Sequence, residues 1–289
     1  MKKILLPTDF SETSKNAIRC ALRYFADTPV EFVLLNALGA RVSSTGVAQS
    51  ANLILQTEAK LRELEKKILS EDGFIQHTFR VVALAMEPKT AIKLLVQNES
   101  FDWVVVGTTG FGNAVALGSI ATALIRINQC NVLVVPFSQQ PTPLLNVVLA
   151  TDYQPLGINA IKSLHELVSI HHAELTFLTI LADDTLTTAP EKSIRDAYQA
   201  EFADLNTNEV IESHVCLRAG IDDYIDSHYV DLLVTVCHHR SFLDVLLNRS
   251  LTRQLAYQPL LPLAILADKE SKPVTLVERS VKGDVLLRR

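Results

Sequence analysis

Short apolar runs alternate with segments of helical period along the first half of the chain. Runs rich in β-branched and aliphatic residues predict strands at 3–6, 31–35, 78–84, 103–106 and 132–135. Between the first two runs, apolar residues recur at the spacing of one helix face, namely at Ala17, Ile18, Ala21, Leu22 and Phe25. This alternation of strand and helix is typical of βαβ units wound around a parallel sheet.

The second half repeats the first. Residues 3–10 (KILLPTDF) recur at 146–153 as NVVLATDY, an offset of 143 that carries Asp9 onto Asp152. Glu31 and Glu174 follow those aspartates at the same interval of 22 residues. The second set of strands is predicted at 147–149, 175–178, 210–217, 232–236 and 263–266.

The repeat predicts an α/β fold with two tandem open parallel five-stranded sheets and helices on both faces. We place the first domain at 1–138 and a proline-containing linker at 139–144. The second domain is placed at 145–267 and a C-terminal extension at 268–289. For the extension, a hairpin of 274–278 with 284–287 is favoured over a disordered tail because its apolar content is high.

Composition excludes several functional classes for a protein with this fold. The 289 residues carry a net charge of −5, which argues against a general electrostatic nucleic-acid binder. The mean hydropathy is +0.21, yet no apolar run approaches the ~20 residues of a membrane span, and Pro7 interrupts the N-terminal apolar run. The four cysteines are spread singly, as in proteins with reduced thiols. We therefore expect a cytoplasmic protein without membrane or nucleic-acid partners.

The ligand crevice of such a sheet lies beyond the carboxyl ends of its strands, where the winding reverses. The first strand is followed there by Pro7, Thr8 and Asp9, and the fourth by a loop with four of the ten glycines, at 107, 110, 112 and 118. Glycines let backbone N–H groups approach phosphate oxygens, so the loop is a candidate anion cradle. Glycine-rich turns also occur without ligands, and Asp9 or Ser11 also suits the N-cap of the following helix.

Four segments together resemble the universal stress protein family in its tandem two-domain form. They are 4–11 (ILLPTDFS), 102–107 (DWVVVG), 118–119 (GS) and 132–136 (VLVVP). The resemblance implies five-stranded domains of the adenine nucleotide alpha hydrolase-like type, often paired through the last strand. In one subgroup it also implies an ATP site written Gly, two residues, Gly, nine residues, Gly, then Ser or Thr. On this chain the implied site is Pro7, Thr8, Asp9, Ala37, Gly107, Gly110, Gly118 and Ser119, with Mg²⁺ accompanying the nucleotide.

The chain departs from that pattern in both halves. Seven residues separate Gly110 from Gly118, and residues 111–117 include no Lys or Arg, so a smaller or uncharged adenosine-type ligand is easier to accommodate than ATP. The second half has no glycine between Ile221 and Lys282, and we predict that it does not bind ATP in the family manner.

Two histidine pairs are considered as candidate functional groups, and neither is assigned a functional role. The run Cys237-His238-His239 lacks the spacing of a zinc site, so no metal site is predicted. His171-His172 is expected to be a solvated helix C-cap.

The sequence favours a non-enzymatic stress-response protein with an adenine nucleotide as the candidate ligand of its first domain. The alternatives are a slow nucleotide hydrolase at the same loops and a dimerising scaffold with vestigial sites. Asp9 is the one acidic candidate for a general base beside the glycine loop, which favours the non-enzymatic role. The last strands are expected to pair, either within the chain or in a homo-oligomer.

Overall fold

The computed structural model describes residues 1–39, 47–72, 76–108, 119–182, 190–237 and 261–268. Three features discussed above lie outside these ranges: the glycines at 110, 112 and 118, the histidines at 238 and 239, and the extension beyond 268.

Each half follows the predicted order of strand and helix. The elements of the first half are β1 (Lys2–Pro7), α1 (Glu12–Tyr24), β2 (Val30–Ala37), α2 (Val47–Asp72), β3 (Thr78–Leu84), α3 (Pro88–Asn98), β4 (Trp103–Gly107), α4 (Ser119–Ile127) and β5 (Asn131–Val135). The described elements of the second half are β6 (Asn146–Ala150), α5 (Ile158–His171), β7 (Glu174–Ala182), α6 (Lys192–Ala200), β8 (Thr207–His214), α7 (Leu217–Ser227), β9 (Leu232–Val236) and β10 (Leu263–Leu266).

The ten strands of the described residues form one sheet in the order β3-β2-β1-β4-β5-β10-β9-β6-β7-β8. Each half is parallel, and the two halves meet where β5 and β10 pair antiparallel, with Val134 opposite Leu263. The expected α/β fold class is confirmed, and its two five-stranded units are joined edge to edge within one chain. In both halves the winding reverses beside the first strand, at β1/β4 and at β6/β9.

Alternation along the strands builds a core on each face of the sheet. Ile4 and Leu6 of β1 contribute to one core and Leu5 to the other, and all three are fully buried. Both cores contain residues of both halves, for example Leu149 in the first and Val148 in the second. The two halves therefore share their hydrophobic interior.

Two asparagines of the first half bind residues of the second half. Asn128, in the left-handed region at φ 49°, accepts from the Asp268 N–H at 3.0 Å and donates to the Asp268 carbonyl at 2.9 Å. Asn131 donates to the Ser163 hydroxyl at 2.8 Å and accepts from the Ala267 N–H at 2.9 Å. These four hydrogen bonds fix the boundary between the halves beside the β5–β10 pair.

His171 crosses the same boundary, contrary to expectation. Its Nε2–H donates to the Tyr24 carbonyl of α1 at 3.0 Å, and its ring meets the Tyr24 ring edge to face. Burial lowers the pKa of His171 below its usual value. The expected solvated cap is therefore wrong for His171, while His172 is the C-cap of α5 in the left-handed conformation.

The sequence pattern placed one strand, β8, three residues too far along the chain. Sequence pattern predicts 210–217, whereas β8 is Thr207–His214. Leu217 is not part of the strand but the first residue of α7, whose N-cap is Cys216. Its apolar side chain is buried against the sheet. The polar start of β8 is tolerated because β8 lies at the edge of the sheet.

Candidate functional site

A cavity of 290 Å³ opens at the carboxyl ends of β1, β2 and β4, where the winding of the first half reverses. Five of the eight residues picked out from the sequence line it, namely Pro7, Thr8, Asp9, Ala37 and Gly107. A sixth, Ser119, begins α4, and its neighbour Ile120 lines the cavity. The sheet therefore brings the loop after β1 and the ends of β2 and β4 to one place.

Hydrogen bonds hold the loop after β1 in a fixed conformation. The Thr8 N–H donates to the Leu35 carbonyl at 2.8 Å, and the buried Asn36 side chain donates to the Thr8 carbonyl at 2.7 Å. Phe10, at φ 65°, donates its N–H to the Thr8 hydroxyl at 3.0 Å. Asn36 thus positions the loop, a role that the sequence analysis did not assign.

Helix α1 begins directly at the cavity rim. Ser11 is its N-cap, with the Ser14 N–H donating to the Ser11 Oγ at 3.2 Å. Asp9 precedes the cap and accepts the Ser11 N–H at 3.0 Å. Of the two candidate caps, Ser11 takes that place and Asp9 supports it.

The Asp9 side chain is exposed at the rim and carries a negative charge. Partial burial opposes its ionisation, but hydrogen bonds from the Ser11 hydroxyl and N–H and from the Ser14 hydroxyl outweigh it, so the pKa of Asp9 lies below its usual value. At neutral pH this side chain is an acceptor for hydroxyl or amino groups of a ligand.

Aliphatic side chains line much of the cavity. They are Leu35, Ala37, Ile92, Val106 and Ile120. A mostly apolar cavity with a few polar groups is the usual form of a small-molecule site.

Gly107 has a packing role that is independent of any ligand. A Cβ at this position would lie 2.7 Å from Thr13 Cγ2 and 2.9 Å from the Thr13 carbonyl oxygen, both in the first turn of α1. Because one of these atoms belongs to the backbone, the clash is not relieved by a side-chain rotation. The glycine is therefore required for α1 to pack against β4.

Strand register identifies the equivalent positions in the second half. Pairing of β1 with β2 and of β6 with β7 carries Ala37 onto Ile180, and pairing with β4 and β9 carries Gly107 onto Val236. Ile180 is buried and packs against α7, where a Cβ on Gly220 would lie 2.6 Å from the Ile180 Cγ2. Larger side chains thus stand at both positions where the first half leaves room. The offset of 143 puts Ile180 at the Ala37 position in the sequence itself, a signal that the sequence analysis did not use.

The start of α5 is closed by the chain itself. Helix α5 begins at Ile158, three positions later in the repeat than α1. The buried Asp268 carboxylate accepts the N–H of the N-cap Gly157 at 3.1 Å. A carboxyl group of the chain itself therefore lies at the helix N-terminus of the second half.

No group of three or more His, Cys, Asp or Glu side chains that could hold a metal ion occurs among the described residues. The histidines at 238 and 239, weighed above beside Cys237, lie outside them. Likewise, no described helix combines the length and apolar character needed to cross a membrane.

The fold and the crevice define a class: an open parallel α/β sheet with a cavity at its switch point. Residues 1–136 match the model of the universal stress protein family. The first half of the chain therefore belongs to that family, and membership supports a role in the stress response.

Solved structures are similar over nearly the whole chain. A universal stress protein from Archaeoglobus fulgidus is 16% identical with a TM-score of 0.64, over 91% of this chain and 97% of its own. A functionally unknown protein from Pseudomonas aeruginosa is 13% identical with a TM-score of 0.59, over 93% of each chain. At these identities the likeness shows the fold alone. None of the curated proteins gives a significant match.

Proposed function

We propose that this chain is a non-enzymatic stress-response protein whose first half binds an adenine nucleotide in the cavity at β1, β2 and β4. The carrying observation is the convergence of Pro7, Thr8, Asp9, Ala37 and Gly107 on one cavity of 290 Å³. That volume is at the lower end of the range for small-molecule sites. The family membership of residues 1–136 supports the same ligand class.

The chemistry of the lining suits the nucleoside portion of such a ligand. A flat base fits between the aliphatic side chains of Ala37, Ile92 and Val106, and Asp9 at the rim is an acceptor for ribose hydroxyls. Phosphates and an accompanying Mg²⁺ would then point towards the loop that precedes Ser119, where the family pattern places them.

A hydrolase is the alternative at this site. Among the described lining residues, Asp9 is the only carboxylate, and its lowered pKa makes it a weak general base. We therefore favour binding over hydrolysis. Phosphate release from ATP over many turnovers, lost in Asp9→Asn, would instead establish the hydrolase.

The binding proposal is tested by replacing Ala37 with isoleucine, the residue that the second half has at the equivalent position, so that a larger side chain fills the cavity. Calorimetric titration with ATP, ADP and AMP, with and without Mg²⁺, should give saturable binding in the wild type and in Ala37→Ser. Ala37→Ile should lose it, because the larger side chain occupies the place of the base. Thermal unfolding of each variant without ligand controls for folding. Absence of binding by every nucleotide in the wild type would contradict the proposal.

We further propose that the protein is a cytoplasmic monomer. Pairing of β5 with β10 inside the chain uses the strand edges through which separate subunits would otherwise associate. Sedimentation equilibrium should return a mass of 31.9 kDa. A stable species of twice that mass would favour the dimerising alternative.

A further inference from the structure

We infer that Asn36 is a positioning residue of the first-half cavity, because it fixes the backbone that carries the Asp9 carboxylate at the rim. The inference rests on the proposed function and deepens it, since it names a side chain that supports binding without touching the ligand. It is carried by the hydrogen bonds of the loop after β1 and by their counterparts in the repeat.

Asn36 lies beneath the cavity rather than in it. Its neighbours Leu35 and Ala37 line the cavity, and Asn36 between them does not. Successive residues of a strand point to opposite faces, so the Asn36 side chain is directed to the other side of β2. Asn36 is buried, and buried polar groups are normally hydrogen-bonded. Its amide donates to the Thr8 carbonyl at 2.7 Å.

The bond from Asn36 fixes the peptide that leads into Asp9. A peptide unit is planar, so holding the Thr8 carbonyl oxygen also sets the direction of the Asp9 N–H. On the other side of Asp9, the Phe10 N–H donates to the Thr8 hydroxyl at 3.0 Å. Asp9 therefore lies between two fixed backbone groups, although its own side chain is exposed.

A fixed position of this carboxylate favours binding. Among the described lining residues, Asp9 carries the only carboxylate, and the proposed function gives it the ribose hydroxyls. A group that is already ordered does not have to be ordered when the ligand arrives, so less binding free energy is lost. Asn36 thus acts on the ligand through Asp9.

The second half builds the same loop with a different donor. Asn36 corresponds to Thr179 in the repeat of 143 residues. The Thr179 hydroxyl donates to the Thr151 carbonyl at 2.8 Å, as Asn36 does to that of Thr8. Tyr153, at φ 59°, donates its N–H to the Thr151 hydroxyl at 2.9 Å. A threonine hydroxyl therefore reaches the equivalent carbonyl, and the second half supplies a matched control.

Three variants of the full chain test the inference. Asn36→Val removes the donor, Asn36→Thr differs from it by a hydroxyl that donates, and Thr179→Val removes the equivalent donor from the second half. In calorimetric titrations, Asn36→Val should bind AMP, ADP and ATP about five- to tenfold more weakly than the wild type. Asn36→Thr and Thr179→Val should bind them as the wild type does.

The titration of Asp9 gives a readout that needs no ligand. Partial burial raises the pKa of Asp9, and hydrogen bonds from Ser11 and Ser14 lower it by more. Asn36→Val loosens the loop that holds Asp9 against these donors, so NMR should show the pKa of Asp9 rising towards its ordinary value. Thr179→Val should leave that pKa unchanged.

A second pair of variants serves if Asn36→Val does not fold. Thr8→Val removes the acceptor of the Phe10 N–H, the other group that fixes Asp9, and should raise the pKa of Asp9 in the same way. Thr151→Val, the matched change in the second half, should not.

The results separate the inference from the proposed function. Weaker binding in Asn36→Val that Asn36→Thr restores, and that Thr179→Val does not share, supports the inference. It is overturned if Asn36→Val binds as the wild type does or if Asn36→Thr does not restore binding. Equal weakening in Thr179→Val also overturns it, because the loss is then one of stability. If the wild type binds none of the three nucleotides, the proposed function fails, while the Asp9 titration still tests the positioning by Asn36.

Discussion

The hydrogen bonds of Asn128 offer a direct test of whether the two halves fold as one unit. Its side chain makes two reciprocal bonds with the backbone of Asp268, at 2.9 and 3.0 Å, from the end of α4 to the residue that follows Ala267. Asp268 also caps α5 through Gly157. Removing the Asn128 amide therefore breaks two hydrogen bonds between the first half and the segment that caps α5 of the second half.

Asn128→Gly removes both bonds and leaves a residue that adopts φ 49° without strain. At about 1 kcal/mol for each bond, the expected loss in the free energy of unfolding is about 2 kcal/mol. Asn128→Ala should lose about 1 kcal/mol more, because alanine tolerates the left-handed conformation poorly.

Urea denaturation followed by circular dichroism measures these losses. Asn208→Ala is the control, because the Asn208 side chain is exposed and its hydrogen bond is to the N–H of its neighbour Glu209, and it should change stability by less than about 0.5 kcal/mol. An equally small effect of Asn128→Gly would refute the view that this contact joins the halves. A single transition in the wild type that splits into two in Asn128→Gly would support it most strongly.

Three further predictions address packing, pH and thiol chemistry. Gly107→Ala should cost about 1–3 kcal/mol of unfolding free energy in urea denaturation, because its Cβ would meet Thr13 at 2.7 and 2.9 Å; an unchanged midpoint would contradict the packing role. Because the pKa of His171 is lowered in the folded state, the unfolded state binds more protons, so stability should fall as pH drops below about 6.5, and less steeply in His171→Gln; parallel pH profiles would contradict this. Burial raises the pKa of Cys20 to about 12, so the native protein should label with a thiol reagent at the half-buried Cys216 long before Cys20, and equal rates in mass spectrometry would argue against it.

Local pattern was sufficient for most of the secondary structure. The predicted ranges 78–84 and 232–236 coincide with β3 and β9 because both begin and end at clear changes in composition. The pattern failed at β8, where the polar residues of an edge strand and the apolar first residue of the next helix moved the expected strand three residues along. Edge position and helix start depend on tertiary neighbours, which periodicity does not encode.

Long-range contacts were the other source of error. His171 was expected in solvent because it ends a helix, yet the two-half arrangement brings it to a carbonyl 147 residues earlier in the chain. The family resemblance implied that the last strands would pair, but the hydrogen bonds of Asn128 and Asn131 to the segment after β10 could not be anticipated. Such contacts depend on how the two sheets meet rather than on either half alone.

The glycines illustrate how far a motif by itself carries a functional argument. In sequence, Gly107 belongs to an expected phosphate cradle; in the structure, Thr13 alone is enough to require it. The stronger signal is the pair Ala37 and Ile180, which occupy one position of the repeat and differ in whether space remains above the sheet. A ligand site in a duplicated fold is therefore better identified by where one copy keeps small side chains and the other fills them than by glycine spacing. By that criterion the first half is the candidate for ligand binding, and the second half contributes sheet, core and the Asp268 carboxylate that closes its own helix.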